Sequence, residues 1–314
     1  MRNLFLMSKP ELFQGEKYLS RSKNYFEGWY FKNTNGIDSI SFIPGISINS
    51  IEKRAFIQVI TNEKSYFIDY NINDFRFCYD PFYIEIGNNF FSLDKIYLDI
   101  DCDDLVLKGD ILYSDSINIK KNIFNPNIMG PFSYIPFMEC NHAILSMDSS
   151  INGRIVINGN EIDFINGNGY IEKDYGVSFP KSYVWLQGNS FKDSRISFMF
   201  SMADIPFMKF SFTGLICVLL VNGKEYKFTT YNNSKIVNYS ISDELLDITL
   251  KRGKYTLNIK GDYGNSLKLI APIKGRMEKD IFESISSIIT VTLYRKSEKI
   301  FSDISVNCGL EIVK

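Results

Sequence analysis

Asn-Gly pairs constrain this chain more than any other feature. Asn152-Gly153, Asn158-Gly159 and Asn166-Gly167 fall in close succession, and Asn222-Gly223 follows later. Both residue types tolerate the positive φ that a two-residue hairpin requires, so each pair reads as a turn between antiparallel strands. Runs rich in Phe, Tyr, Ile and Val lie between such signals. Strands are expected over 25–32, 40–48, 54–60, 64–70, 75–86, 90–100 and 105–112, then over 143–147 and 154–157. The second half repeats the style over 183–191, 194–202, 210–221, 224–231, 235–241, 246–250, 254–260, 267–273, 287–295 and 305–312. Pro44-Gly45 punctuates its run, and Gly28 sits inside another, where a glycine marks a bulge or a close backbone approach. Only Glu278 to Ile285 offers a short helix. No stretch sustains a 3.6-residue period, and no alternation of strand and helix supports a doubly wound nucleotide fold. The expectation is an all-β protein with little helix.

Residues 122–138 break the pattern with Pro126, Gly130, Pro131 and Pro136, which predicts a long ordered loop. A chain of 314 residues is about two domains' worth of sequence. Many antiparallel strands must also protect their edges, which closure into a barrel achieves. Two antiparallel β-barrel or curved-sheet modules packed together are therefore expected, over 18–150 and 151–314, with a single large sandwich as the alternative.

Composition excludes several classes of function. Lys and Arg number 35 against 36 Asp and Glu, so no basic field invites nucleic acid. The five cysteines form no CxxC, and His142 is the single histidine. A structural zinc site is not expected, and a Ser-His-Asp triad has His142 as its only base. The apolar run near the N-terminus is too short and broken for a signal peptide. Phe207 to Val221 is interrupted by Lys209 and too short for a spanning helix, so it reads as a strand pair turned near Gly214. Reduced thiols and a cytoplasmic place follow as expectations.

Two segments carry an unusual residue mix, and both tryptophans fall in them. One is Glu27-Gly28-Trp29-Tyr30; the other runs from Gly169 to Gly176 and on through Trp185-Leu186-Gln187-Gly188-Asn189. Strand alternation places Tyr170, Glu172 and Asp174 on one face. Two carboxylates on one face repel, and apolar surroundings add to that, so one of them is kept protonated and becomes a general acid. Aromatic faces beside it stabilise a developing cation, which suits protonation of an alkene. The plainer alternatives are that Glu172 pairs with Lys173, Arg54 or Arg154 and that Asp174 caps a turn. Glu27, set among aromatic residues, is either a salt-bridge anchor or a pocket acid. Trp185 and Gln187 share a face, and Gln187 either meets a substrate oxygen or satisfies a buried turn. A lone histidine such as His142 is more often structural.

These segments resemble the tocopherol cyclase-like family. The likeness is carried by Tyr25 to Lys32, Phe42 to Ile46, Ala55 to Val59, Ile128-Met129-Gly130 and Pro136 to Cys140. It continues in Gly169 to Gly176 with Phe179-Pro180, Trp185 to Asn189, and Ala271-Pro272, Gly275-Arg276-Met277 and Glu283-Ser284. It spans roughly residues 20 to 312. The wider superfamily, similar to carotenoid hydratases, implies two lipocalin-like β modules. The resemblance implies closure of a chromanol ring by protonation of a prenyl double bond beside a quinol, with no metal or redox cofactor. Glu172, Asp174 and Glu27 are the acid candidates, and Trp29, Tyr30, Tyr170, Tyr175, Trp185, Gln187 and Asn189 the candidate substrate-binding residues. Tyr175 stands where the family often has tryptophan, and the residues before Asn189 depart as well. The expected partner is a hydrophobic small molecule such as a prenyl quinol, a terpenoid or a lipid. A prenyl substrate would favour contact with a membrane surface. The competing reading is a carrier that binds such a molecule unchanged.

Overall fold

The computed structural model describes residues 9–314 except 22, 136–137, 194, 208–209 and 243–244. Pro136 and Phe137 of the family-like stretch and Lys209 of the apolar run lie outside the described residues. Among the described residues strands dominate, with one four-residue helix, α1 (Glu16–Leu19), and three short 3₁₀ turns.

The chain forms two compact units. One comprises residues up to Phe179 together with Leu269–Asp280; the other comprises Pro180–Lys268 and Ile281–Lys314. The boundary expected at 150/151 falls inside a strand. In the first unit the strands are β1 (Tyr25–Thr34), β2 (Ser39–Ile48), β3 (Lys53–Thr61), β4 (Ser65–Asn71), β5 (Phe75–Tyr79) and β6 (Phe82–Ile86). They continue as β7 (Asn89–Ser92), β8 (Lys95–Cys102), β9 (Leu105–Ile117), β10 (Cys140–Ile157), β11 (Asn160–Asp163) and β12 (Gly167–Gly176). The sheet order is β4-β3-β2-β1-β12-β10-β9-β8-β7-β6-β5, with β11 paired to β10. Ala55 and Ile57 from one end of this path and Ile84 and Ile86 from the other belong to one buried cluster. The sheet therefore curls around its own core, as a lipocalin-like module does.

The segment before β1 enters that core. Phe13 is fully buried, with its ring centroid 4.7 Å from Phe77 and 5.1 Å from Phe75. Trp29 Nε1 donates to the Glu11 carbonyl at 3.0 Å, and Lys173 Nζ donates to the carbonyls of Pro10 and Leu12 at 3.0 and 2.6 Å.

The second unit repeats the plan. Its strands are β13 (Tyr183–Gly188), β14 (Ser197–Phe207), β15 (Phe210–Val221), β16 (Lys224–Thr229), β17 (Lys235–Ile241), β18 (Leu245–Arg252), β19 (Tyr255–Asp262), β20 (Ser266–Ile273), β21 (Arg276–Arg295) and β22 (Glu298–Val313). The order is β16-β15-β14-β13-β22-β21-β19-β18-β17, and β20 pairs with β21. In both units the first strand pairs with the last, β1 with β12 and β13 with β22. Val184, Leu186, Phe198, Phe228, Leu250 and Leu310 contribute to a separate apolar core.

Leu269–Asp280, which is the end of β20, the start of β21 and the turn between them, belongs to the first unit. Gln58 bonds both polar groups of Ile270, at 3.1 and 2.9 Å, and Gly275 donates to the Val177 carbonyl at 2.8 Å. Gly275 has φ +72° and sits so close to Ile48 that a Cβ would lie 2.1 Å from its carbonyl oxygen, so no other residue fits there.

Several local expectations change. Residues 143–147 and 154–157 are parts of one strand, β10, and Asn152-Gly153 lies within it. A Cβ on Gly153 would fall 2.1 Å from the Asp110 carbonyl oxygen, so this glycine serves a close backbone approach rather than a turn. Asn158, Asn166 and Asn222 do adopt positive φ. Glu278 to Ile285 is strand, because cross-strand pairing with β22 overrides local helix preference. Gly214 lies inside β15, and β2 runs through Pro44-Gly45 unbroken. Gly28 makes no bulge; it faces Gly45 across β1 and β2, and the two backbones approach closely.

Candidate active site

The first unit's polar residues sort onto the two faces of β12. Directly paired residues in an antiparallel sheet share a face. Lys173 pairs with Trp29 and Ala143, both in the core cluster, so Ile171, Lys173 and Tyr175 point inward. Asp174 pairs with Gly28 and His142, and Glu172 with Tyr30 and Ile144, so these side chains share the opposite, outer face.

Four strands, β12, β10, β1 and β2, build the outer cluster. Tyr170 Oη donates to Glu172 Oε2 at 2.5 Å. His142 reaches across from β10 between the two carboxylates. Its Nδ1 lies 3.0 Å from Asp174 Oδ1, and its Nε2 lies 3.4 Å from Glu172 Oε2 without hydrogen-bond geometry. Cys140 Sγ approaches Asp174 Oδ1 at 3.6 Å. On β1, Tyr30 accepts a bond from Ser41 Oγ at 3.0 Å. Gly28 beside Asp174 leaves space that a side chain would occupy; a Cβ there would have only ordinary contacts at 3.7 Å. β10 changes register just beyond Ile144, and such irregularities re-aim neighbouring side chains.

Burial alone would lower the His142 pKa, but the Asp174 and Glu172 carboxylates outweigh it and hold the ring at about 9. The imidazole is therefore a cation at neutral pH, with Nδ1–H donating to Asp174. Burial, followed by the Glu172 charge, pushes the Tyr170 phenol well above its ordinary value, so it stays a donor. Burial likewise raises the Cys140 thiol, which keeps it protonated and unreactive. Tyr170 is fully buried, Glu172 is 5% exposed, and the Asp174 side chain is 22% exposed. The cluster thus joins a buried acid–base pair to a partly accessible carboxylate.

His142, Glu172 and Asp174 also each offer one ligand atom within 4.8 Å of the others. The two carboxylates, however, meet opposite nitrogens of the ring, Nδ1 and Nε2, whereas a single metal ion would be bound by one of them. The residues fit a proton network better than a metal.

Glu27 lies apart, on the inner face. It is fully buried, with Lys173 Nζ 2.5 Å from its Oε1. Tyr25 Oη donates to it at 2.5 Å, and the Gln14 backbone N–H donates at 2.9 Å. Lys173 also lies over the Trp29 and Tyr175 rings at 4.6 and 5.2 Å. Burial lowers the Lys173 pKa, and Glu27 opposes that shift. Of the alternatives the sequence left open, Glu27 takes the salt-bridge anchor. Trp29 and Tyr175 stand with it, because they occupy the other phase of strand alternation from Tyr30 and Tyr170. None of the expected basic partners reaches Glu172. Lys173 faces inward, Arg54 pairs with Glu52 and Asp69, and Arg154 pairs with Glu161 and Asp163.

Trp185, Gln187 and Asn189 lie in the second unit, all buried. Val184 and Leu186 face its core, so Trp185 and Gln187 occupy the other face of β13. Sequence reasoning undervalued His142. The available signal was a histidine just after the proline-rich loop, and only strand pairing puts it opposite Asp174.

No curated protein sequence matches this chain. Among solved structures, CghA with Sch210972 is similar over 92% of this chain and 88% of that one, with a TM-score of 0.57 and 8% identity. CghA alone gives 0.57 and 7% over the same shares. Kievitone hydratase from Nectria haematococca is similar over 94% and 89%, with a TM-score of 0.49 and 12% identity. At such identities the likeness to CghA speaks to fold alone. The family model described as tocopherol cyclase-like matches residues 120–313, which include β10, β12 and every residue of the outer cluster except those on β1 and β2. The chain belongs to the tocopherol cyclase-like family.

Proposed function

We propose that the outer cluster protonates a carbon–carbon double bond in a hydrophobic small molecule, and that the reaction is ring closure of a prenylated quinol. The observation that carries this reading is a histidine held as a cation between two carboxylates, one of them buried beside a phenol. Apolar ligands suit the family, and the structure of CghA was solved with the small molecule Sch210972.

The proton balance closes within the site. Glu172, recharged from His142 Nε2–H, donates a proton to the less substituted alkene carbon. Positive charge develops on the more substituted carbon, where the phenolic oxygen attacks and forms the new C–O bond. The phenolic proton then returns to the Glu172–His142 pair. One proton enters and one leaves, so the product is an isomer of the substrate and no redox partner takes part. Asp174 orients the imidazolium, and Tyr170 fixes the carboxyl. Tyr30 and Tyr170 present π-faces and hydroxyls beside the developing cation. A pure carrier has no need of a histidine held between two carboxylates on a buried face.

The test is incubation with prenylated hydroquinones in D₂O, followed by chromatography and mass spectrometry. A cyclised product carrying one carbon-bound deuterium per turnover supports the proposal. Retention of the quinol without conversion would replace it with the carrier reading.

A further inference from the structure

The stretch between β9 and β10 presents an apolar tip that the fold does not use. Among the described residues, Ile123 and Phe124 are the only sequence neighbours of large apolar type that are both exposed, at 77% and 74%. Single exposed residues such as Ile37, Ile51 and Ile165 are ordinary on a protein surface. This pair differs because a closed turn holds it out. Asn122 and Asn125 exchange both backbone hydrogen bonds, N–H to carbonyl, at 3.0 Å each. Asn122 Oδ1 accepts from the Phe124 N–H at 2.9 Å and from the Asn125 side chain at 3.3 Å. Tyr134 Oη donates to the Ile123 carbonyl, and Tyr134 is itself 39% exposed. The turn thus satisfies most of its own backbone, which is what a segment entering a medium without water requires. Lys120 and Lys121 precede it and are exposed, and no Asp or Glu stands between Asp115 and Glu139 in the sequence. Glu11 is the carboxylate whose charge reaches Lys121.

We propose that the turn 122–125 docks on an anionic lipid surface, with Ile123 and Phe124 entering the boundary between headgroups and acyl chains and Lys120 and Lys121 against the phosphates. Area and charge choose the occupant. Two side chains fall well short of the ~800 Å² that a stable protein interface takes from each partner. A bilayer asks for no matching surface and gains from each apolar side chain separately. A basic, acid-free approach to the tip suits anionic headgroups, and Tyr134 has the half-apolar, half-polar character that settles at such an interface. A prenylated substrate would favour membrane contact without naming a surface. The turn names one, and nothing in its geometry depends on the reaction proposed above.

The test is sedimentation of the full chain with vesicles of phosphatidylcholine mixed with phosphatidylglycerol, and with vesicles of phosphatidylcholine alone. Wild-type protein should bind the mixed vesicles about fivefold or more tightly than the neutral ones at low salt, and the preference should fade at high salt. Ile123→Ser and Phe124→Ser together should weaken binding to mixed vesicles at least about tenfold. The unfolding midpoint should not change, because both side chains stand in water. Lys120→Gln with Lys121→Gln should abolish the lipid preference. Phe124→Trp reads the insertion directly: its emission should shift to the blue on mixed vesicles, against a background of Trp29 and Trp185, which are buried. The proposal is overturned if wild-type protein stays in the supernatant with mixed vesicles, or if the serine variant sediments as well as wild type. It is also overturned if sedimentation velocity without lipid shows a dimer that the serine variant loses and vesicles do not dissociate, since a second copy then covers the tip. None of these measurements uses a quinol, so failure of the ring-closure reading leaves this one standing, and the converse holds.

Discussion

On the inner face of β12 Lys173 meets one carboxylate; on the outer face His142 meets two. The inner pair is neutral overall and saturated with donors and acceptors from Tyr25, Gln14, Pro10 and Leu12. It fastens the segment before β1 to the core. The outer trio sets one imidazole between two carboxylates, and its histidine keeps Nε2 without a hydrogen bond. Identical backbone geometry thus supports two uses of buried charge. A charge that is fully paired and bonded serves structure, whereas a histidine shared between two carboxylates, one of them partly reachable by solvent, is what the proposed proton transfer would use.

The largest expected effect is on turnover. Glu172→Gln should lower kcat by about 10²- to 10⁴-fold, the usual range for loss of an acid–base group. Its stability should stay close to that of wild type, and chemical denaturation alongside kinetics reads both. On the inner face the expectation reverses. Lys173→Met or Glu27→Leu alone should cost roughly 3–5 kcal/mol of unfolding free energy, because each strands a buried charge. The double replacement should recover most of that loss. If Glu27 variants instead kept full stability and lost turnover, the division between the faces would be wrong.

A smaller, pH-dependent effect belongs to His142. Its folded-state pKa of about 9 lies above the ordinary 6.5, so its stabilising contribution is full below about pH 6.5 and is lost as pH rises through about 9. Wild type should therefore lose roughly 2–3 kcal/mol across that window, after allowance for the solvent access of the ring. His142→Gln should remove this dependence in urea titrations at pH 6 and pH 9.5. Activity should fall only as pH rises through about 9, where the folded protein loses the cation. The smallest effect is Tyr170→Phe, which should lower kcat about tenfold through loss of one hydrogen bond to the carboxyl. The Lys173 side of the sheet should not respond.

Much of the fold was legible along the chain. Turn chemistry at Asn158, Asn166 and Asn222 marked strand ends because positive φ is a local property. Alternation likewise placed Tyr170, Glu172 and Asp174 on one face, since side-chain direction in a strand has a period of two. Local signals misled where tertiary pairing outweighed them. Asn152-Gly153 looks like a turn but lies within β10, and Glu278 to Ile285 looks helical but is held in β21.

The sequence by itself determined the strand-rich architecture, the family motifs and the presence of two carboxylates in one phase of β12. It could not say which side of that strand faces a core, because alternation defines two faces without naming either. Tertiary structure decided that Lys173 and Glu27 are inside, 146 positions apart in the chain and 2.5 Å apart in space. It also brought His142 from β10 opposite Asp174 and left Gln187 buried without a partner among the described residues. Each of these depends on the pairing of distant strands, and register between strands is a property of the whole sheet rather than of any segment.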